Sequence, residues 1–255
     1  MPYPIRKAML IACLATAGVA FATKTISVKD YSNSSEIRSG STVIAAPAPC
    51  PSPEAAVEIA NRELYNELDL ASNGMKSEVF ELALKGFAKL SDAGKIADTG
   101  KITIIDFGQP SNQKRLYVID LNKRQLLFQS LVSHGRGTGG LWATSFSNNP
   151  SSYKSSPGFY ITEETYTGHN GYSLRLDGLE KGINDNARNR AIVMHGARYA
   201  NESAINALGF LGRSEGCPAL PQSMYKPVIN TIKNGTCLFI YAPDESYLTH
   251  SEFLA

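Results

Sequence analysis

Seven short apolar runs between residues 101 and 241 constrain the fold of this chain more than any other feature of its sequence. They cover residues 102–107, 116–121, 126–132, 158–162, 172–176, 191–194 and 237–241. Gly, Asn and Pro residues separate them, and short apolar runs bounded by such turn residues are typical of β-strands. Many short strands joined by long loops predict a mainly β fold, an antiparallel sandwich or barrel-like sheet with short helices inserted.

Residues 52–94 have a different apolar period. Ser52 suits a helix N-cap, Pro53 the first helical position and Glu54 the positive end of the helix dipole. Apolar residues recur at helical spacing over residues 56–68 and again over 76–90, with Asn73-Gly74 between them. The sequence predicts a small N-terminal helical hairpin that packs on the part that follows, because it is too small for an independent domain.

The first 51 residues read as targeting and linking sequence. Arg6 and Lys7 precede an apolar run over residues 8–20, and small residues follow at 20–22. This pattern predicts a secretory signal peptide over residues 1–22, with an uncleaved anchor as the alternative. Residues 23–51 are rich in Ser, Thr, Ala and Pro and predict a linker. We therefore expect secretion across the inner membrane, with no stable membrane insertion after cleavage.

The net charge and the cysteine content limit the possible partners and disulfide bonds of this protein. The formal net charge of +2 in 255 residues gives no argument for nucleic acid or an anionic membrane as a partner. Removal of the signal leaves three cysteines, Cys50, Cys217 and Cys237, and an odd number leaves at least one thiol unpaired. Cys237 lies in a strand-like run, where cysteine usually serves as a small apolar residue. Cys50 lies in the linker and has no evident partner.

Residues 192–221 contain a candidate base, His195, and a candidate nucleophile, Cys217. Cys217 follows Gly216, and a cysteine behind a glycine on a tight turn can expose its sulfur close to free backbone N–H groups. A histidine within reach can generate the reactive thiolate by taking its proton. The histidines and cysteines have no short metal-ligand spacing, and no dinucleotide or phosphate-loop motif is present, so neither metal nor cofactor is predicted.

These residues resemble a known family. His195-Gly196 followed by Ser214-Glu215-Gly216-Cys217 is similar to the catalytic motif of the murein L,D-transpeptidase catalytic-domain family (YkuD-like). Residues 132–135 and 156–160 are similar to the strand-end glycine and the later Pro-Gly-aromatic element of that family. The resemblance covers about residues 101–243, so we expect an L,D-transpeptidase-like catalytic domain over residues 95–243 and a C-terminal tail over 244–255. The branch with Ser-x-Gly-Cys-Pro-Ala implies a periplasmic or cell-envelope location.

The resemblance implies an enzyme that acts on peptidoglycan stem peptides without a cofactor. Cys217 would form a thioester, His195 would act as base, Ser214 would orient the turn or the substrate, and the N–H groups of Gly216 and Cys217 would bind the oxyanion. Many family members have a basic residue shortly after the cysteine, where this chain has Pro218-Ala219-Leu220-Pro221. A substrate carboxylate contact is therefore expected elsewhere, from Arg213, Arg198 or Arg175. His134, at a strand end before a glycine loop, is a candidate either for substrate binding or for a structural role, and Gly196 is a further substrate-binding candidate.

Two other functions remain open at this point. The same site could serve an L,D-carboxypeptidase or an amidase that cuts an existing cross-link, if water or another acceptor resolves the thioester. A non-catalytic wall-binding module with the same fold is the third reading, although His195 and Cys217 are both present. The sequence predicts no particular oligomeric state.

Overall fold

One mixed eight-stranded sheet forms the centre of the molecule in our computed structural model, which describes residues 52–255. Its strands are β1 (Lys101–Asp106), β2 (Leu116–Asp120), β3 (Gln125–Ser130), β4 (Gly158–Gly168), β5 (Gly171–Gly178), β6 (Val193–Gly196), β7 (Ala219–Leu220) and β8 (Cys237–Tyr241). They lie in the order β3-β2-β1-β8-β4-β5-β6-β7. The mainly β fold is confirmed, and each of the seven predicted strands is present.

The sheet is mainly antiparallel, with parallel pairs at β1/β8 and β6/β7. After β3 the chain crosses to the opposite edge, where Ser133 bridges Ala219 of β7 and Gly135 bridges Ser214. These bridges bring the two edges of the sheet together, so that it is nearly closed. The segment that contains residues 133–135 is thereby placed beside the turn that carries Cys217.

Five helices surround the sheet: α1 (Pro53–Glu67), α2 (Ser77–Asp92), α3 (Glu202–Leu208), α4 (Tyr225–Ile232) and α5 (Glu245–His250). Helix α1 begins as predicted, because the Ser52 hydroxyl accepts a 3.2 Å hydrogen bond from the N–H of Ala55 and Pro53 is the first helical residue. Helices α1 and α2 form the predicted hairpin. Of these five helices in residues 52–255, none is long and apolar enough to cross a membrane.

The hairpin packs on one face of the sheet, as predicted. At Gly86 of α2, an added Cβ atom would lie 2.0 Å from the Phe159 ring of β4, so this contact needs a residue without a side chain. Cys237 and Phe239 of β8 point to the same face, whereas Leu238 and Ile240 point to the other face and pack with α4. This alternation follows from the two-residue period of a strand and gives the sheet an apolar core on each side.

Residues 244–255 are packed on the fold, although the sequence suggested only a tail. Tyr247, Phe253 and Leu254 are buried in the same core cluster as α2. The hydroxyl of Ser251 hydrogen-bonds the buried carboxylate of Glu180, which also accepts the N–H of Phe159 at 2.7 Å. The four large apolar residues of this short segment form no clear period, which explains why the pattern alone did not predict this docking. They are Tyr247, Leu248, Phe253 and Leu254.

Candidate active site

Parallel pairing of β6 and β7 brings the two halves of the sequence motif together. His195 pairs with Ala219, so Cys217, two residues before Ala219, lies at the end of the strand beside His195. A single short turn, residues 214–217, then presents the sulfur. The site is thus built from chain segments that are neighbours in the sheet and not in the sequence.

The turn is fixed by hydrogen bonds of two serines. Ser214 Oγ accepts from the N–H of Gly216 at 3.1 Å and donates to the carbonyl oxygen of Cys217 at 2.7 Å. Ser155 Oγ donates to the carbonyl oxygen of Gly216 at 2.9 Å. Gly216 has φ +128°, and an added Cβ would lie 2.8 Å from the carbonyl oxygen of Lys154. Position 216 therefore requires glycine both for its dihedral angle and for space.

The Cys217 sulfur is partly buried and contacts backbone groups of the preceding loop. The N–H of Val193 donates to Sγ at 3.5 Å, and Sγ lies 3.7 Å from the carbonyl oxygen of Ala191. Burial raises the pKa of the Cys217 thiol, while the Val193 N–H and the Arg190 charge lower it and Glu215 raises it. The resting group at neutral pH is a thiol that needs a base.

His195 is almost fully buried and is oriented by its neighbour. Nδ1 lies 3.2 Å from the carbonyl oxygen of Gly196, and because a carbonyl oxygen can only accept, Nδ1 carries the proton. Burial lowers the pKa of His195, partly offset by this hydrogen bond. The imidazole is then neutral at pH 7, with Nε2 free to accept a proton. The hydrogen bonds of Sγ in residues 52–255 go to Val193 and Ala191 rather than to this ring.

Both side chains line a cleft of about 790 Å³. Three arginines, Arg136, Arg190 and Arg213, and one carboxylate, Glu215, also line it, so the cleft has an excess of positive charge. The guanidinium of Arg136 stacks 3.7 Å from the centre of the Tyr153 ring and is 3.7 Å from the Glu215 carboxylate. A cleft of this charge suits a substrate that carries carboxylates.

The structure brings four of the predicted site residues to the cleft: Cys217, His195, Ser214 and Arg213. Gly216 shapes the turn behind the sulfur. Gly196 and Arg198 are not among the lining residues. An added Cβ at Gly196 would lie 2.6 Å from the Tyr225 ring of α4, which shows that this glycine faces the core. Arg175 pairs with Glu164 at 2.9 Å, also outside the cleft.

His134 lies in the core and not in the cleft. Its side chain is 1% exposed, and its Nδ1 is 2.8 Å from a guanidinium nitrogen of Arg115, itself fully buried. Burial, together with the Arg115 charge, lowers the pKa of His134 to about 4. The neutral imidazole of His134 accepts a hydrogen bond from the buried Arg115 guanidinium. This contact stabilises the core and does not reach the cleft.

Sequence reasoning missed Arg136 and Arg190. Arg136 lies in the loop directly after a predicted strand, between Gly135 and Gly137, and Arg190 lies five residues before His195. Nearness to these motifs was the available signal, but exposed loop arginines are common and the pattern did not single them out.

In residues 52–255 no group of three or more His, Cys, Asp or Glu residues is placed to hold a metal ion. The two cysteines in this part of the chain, Cys217 and Cys237, are free thiols, and Cys237 is fully buried. A thiol and a neutral imidazole that line one cleft are the groups of a cysteine-dependent acyl-transfer enzyme.

Comparison with known families agrees with that class. Residues 71–241 match the family model for the L,D-transpeptidase catalytic domain, which is more than half of the chain. The chain therefore belongs to the L,D-transpeptidase catalytic-domain family. The matched range begins between α1 and α2 and so includes α2. A search among curated proteins gave no match.

Solved structures similar to this chain include L,D-transpeptidases. One from Mycobacterium smegmatis shares 10% identity, with 56% of this chain and 59% of that chain covered and a TM-score of 0.36. One from Mycobacterium tuberculosis H37Rv shares 15%, with 56% and 58% covered and a TM-score of 0.36. One from Stackebrandtia nassauensis shares 16%, with 73% and 78% covered and a TM-score of 0.35. The match thus spans less than two thirds of the mycobacterial chains.

Proposed function

We propose that this protein is a peptidoglycan L,D-transpeptidase that acts on stem peptides through a Cys217 thioester. The observation that carries the proposal is the placement of Cys217 and His195 in one positively charged cleft of a chain that belongs to this family. Stem peptides carry several carboxylates, and the three cleft arginines provide the complementary charge.

The first half of the reaction forms the thioester. Nε2 of His195 takes the proton of Cys217, and the thiolate attacks the carbonyl carbon of the substrate amide. The tetrahedral intermediate collapses as the C–N bond breaks, and the imidazolium gives its proton to the leaving amine. By analogy with the family, the bond joins the diamino acid at the third position to D-Ala, and D-Ala leaves.

The second half transfers the acyl group. An amine of another stem peptide attacks the thioester carbonyl and gives its proton to His195, the C–S bond breaks, and the sulfur recovers the proton from the imidazolium. The product is a cross-link between two stems. Water in place of the amine would give a trimmed stem, which is the carboxypeptidase alternative.

The two candidate oxyanion donors differ in their hydrogen bonds within the turn. The Gly216 N–H is already bonded to Ser214 Oγ. The Cys217 N–H donates to no protein atom in residues 52–255. We therefore assign the oxyanion to the Cys217 N–H, with the Gly216 N–H holding the turn. Removal of an oxyanion donor typically costs about 10² to 10³ in rate.

The predicted signal peptide and linker, residues 1–51, lie outside the described residues. Together with family membership they support a place in the periplasm or cell envelope, where peptidoglycan is accessible. The domain boundaries at residues 94 and 243 likewise stay predictions.

The function is tested by incubating the chain from residue 23 onward with defined disaccharide tetrapeptides and following products by mass spectrometry. We expect dimers together with released D-Ala. Cys217→Ala should abolish both, whereas Cys237→Ala, which removes the buried thiol of β8, should retain them. Loss of D-Ala without dimers would instead establish a carboxypeptidase, and no turnover in any sample would favour a different murein substrate or a binding module.

A further inference from the structure

The segment 190–193 surrounds the Cys217 sulfur with groups that sequence reasoning did not assign. The Val193 N–H donates to Sγ at 3.5 Å, and Sγ lies 3.7 Å from the carbonyl oxygen of Ala191. Ala191 has φ +54°, a left-handed conformation that residues with a Cβ rarely adopt. Such a conformation persists only where the surroundings hold it, and it is found often at functional sites.

Backbone hydrogen bonds hold Ala191 in this conformation: its N–H donates to Arg188 O at 3.0 Å, and the N–H of Ile192 donates to Ala187 O at 2.9 Å. The Arg190 side chain fixes the neighbouring loop. Its guanidinium is partly buried and makes four hydrogen bonds, all to the loop of residues 147–156. One nitrogen donates to Ser147 O at 2.8 Å and Ser156 Oγ at 2.6 Å, and the other donates to Lys154 O at 2.6 Å and Ser152 Oγ at 3.3 Å. Lys154 O is also the atom that approaches Gly216. Arg190 therefore holds in place Lys154 O, the backbone atom that packs closely against Gly216 in the turn that carries the sulfur.

The cleft has other charged and titratable groups, and one of them, His195, is the proposed base of Cys217. The rest are Arg136, Tyr153, His169, Tyr199, Arg213 and Glu215. Arg136 is exposed and pairs with Glu215, and Arg213 donates to Gly139 O at 3.1 Å. Arg190 lowers the pKa of the Cys217 thiol and Glu215 raises it, and Arg190 is the more buried of the two.

We propose that Arg190 is a positioning residue of the cysteine site: it holds a permanent positive charge in the cleft that Cys217 lines, directly before Ala191 in the chain, and, with the Val193 N–H, stabilises the thiolate. The proposal rests on Cys217 being the nucleophile of the proposed function. The charge acts in both halves of the reaction. When the acceptor amine expels the sulfur from the thioester, His195 has already delivered its first proton, whereas Arg190 does not titrate in this pH range and still stabilises the leaving thiolate.

The test measures how fast iodoacetamide alkylates Cys217 as a function of pH, read by mass spectrometry of the purified protein. Arg190→Gln should raise the pH midpoint by about one unit and slow alkylation at pH 7 about tenfold. Arg190→Lys retains the charge without the four-bond geometry and should stay within a few tenths of a unit of the unmodified protein. Arg188→Gln is the matched control, because Arg188 pairs with Glu164 and Asp177 outside the cleft, and it should have no effect.

Equal shifts in Arg190→Lys and Arg190→Gln would overturn the proposal, since the residue would then only hold the loop. An unchanged midpoint in Arg190→Gln would overturn it as well. If Arg190→Gln does not fold, Arg190→Lys decides alone: a retained midpoint supports the charge, and a raised one contradicts it. Alkylation needs no peptidoglycan, so a shift in a protein that makes no cross-links would refute the proposed function and keep this proposal.

Discussion

The hydroxyl of Ser214 donates a 2.7 Å hydrogen bond to the carbonyl oxygen of Cys217 while it accepts the N–H of Gly216. One side chain thus closes the turn on both sides of the candidate nucleophile. Ser214 is 5% exposed, so its contribution is to the backbone that presents the sulfur rather than to a broad contact with substrate.

Ser214→Ala should therefore affect both stability and rate. A buried donor and a buried acceptor lose their partner, which costs about 1–3 kcal/mol of the free energy of unfolding. A loosened turn should lower the rate of thioester formation about tenfold, because the sulfur and the Cys217 N–H are no longer held together. Urea denaturation and single-turnover D-Ala release measure the two effects. Ser203→Ala, an exposed serine in α3, should change neither; full activity in Ser214→Ala would contradict this role.

The pH dependence of acylation should report a histidine with a low pKa. His195 must be neutral to accept the thiol proton, and burial places its pKa below its usual 6.5. The half-maximal point of kcat/KM on the acid side should therefore lie below pH 6.5, and at pH 6.5 more than half of the plateau should remain. His195→Gln should lose about 10² to 10⁴ in rate.

His169 offers a matched control, because it also lines the cleft but is exposed. His169→Gln should leave the acid-side midpoint of the kcat/KM profile against pH unchanged. A midpoint above 6.5 in the unmodified protein, or a profile that His195→Gln leaves unchanged, would show that His195 is not the base.

Arg136 should contribute to substrate affinity. Its guanidinium is held on the Tyr153 ring and has only a weak, exposed pairing with Glu215, which a substrate carboxylate can replace. Arg136→Ala should raise KM for the tetrapeptide about tenfold, equivalent to about 1.4 kcal/mol, with little change in kcat. Arg198→Ala, exposed and outside the cleft lining, should leave KM unchanged. Equal effects of the two variants would mean a general charge effect in place of a binding contact.

Two similar local sequences show how far sequence can predict this site. Val132-Ser133-His134-Gly135 and Val193-Met194-His195-Gly196 both end a predicted strand with His-Gly. One histidine lines the cleft and the other is buried against Arg115. The difference is set by partners distant in sequence, Arg115 for the first and the parallel strand β7 for the second, so no local pattern distinguishes the two.

The strands and the candidate site motif were predictable because they depend on local information. Apolar runs with turn residues define strands, and a Gly-Cys turn after a His-Gly strand end indicates the chemistry. Strand β7 was not predicted, because two residues, Ala219 and Leu220, have no measurable period. The cleft arginines depend on how the loops of residues 135–137 and 147–156 fold together, which the sequence pattern does not encode.

The buried pair Arg115–His134 predicts a loss of stability in acid. The pKa of His134 is about 4 in the folded protein and about 6.5 when the chain is unfolded, so the unfolded state binds a proton first. Stability from this source is fully present above pH 6.5 and is lost as the pH falls towards 4, by up to about 3 kcal/mol. His134→Asn keeps an acceptor for Arg115 and removes the titration, so its free energy of unfolding should fall less between pH 7 and pH 4.5.

Urea denaturation at several pH values measures this difference. His250→Asn is the control, because His250 is exposed on α5 and its replacement should leave the pH dependence unchanged. If the free energy of unfolding falls equally with pH in His134→Asn and in the unmodified protein, groups other than His134 cause the acid sensitivity.

Removal of residues 244–255 should unfold the protein or come close to it. Tyr247, Phe253 and Leu254 are buried against the sheet and α2, and burial of three such side chains contributes about 4–9 kcal/mol, comparable to the whole stability of a domain. The deletion also leaves the buried carboxylate of Glu180 without Ser251 and Tyr247. Thermal unfolding of the truncated chain should show no cooperative transition, or one far below that of the complete chain. Removal of Ala255 alone, which is exposed, is the control and should shift the midpoint little. A truncated chain that melts like the complete one would mean that these contacts add little, and that the sheet and the α1–α2 hairpin hold the core without them.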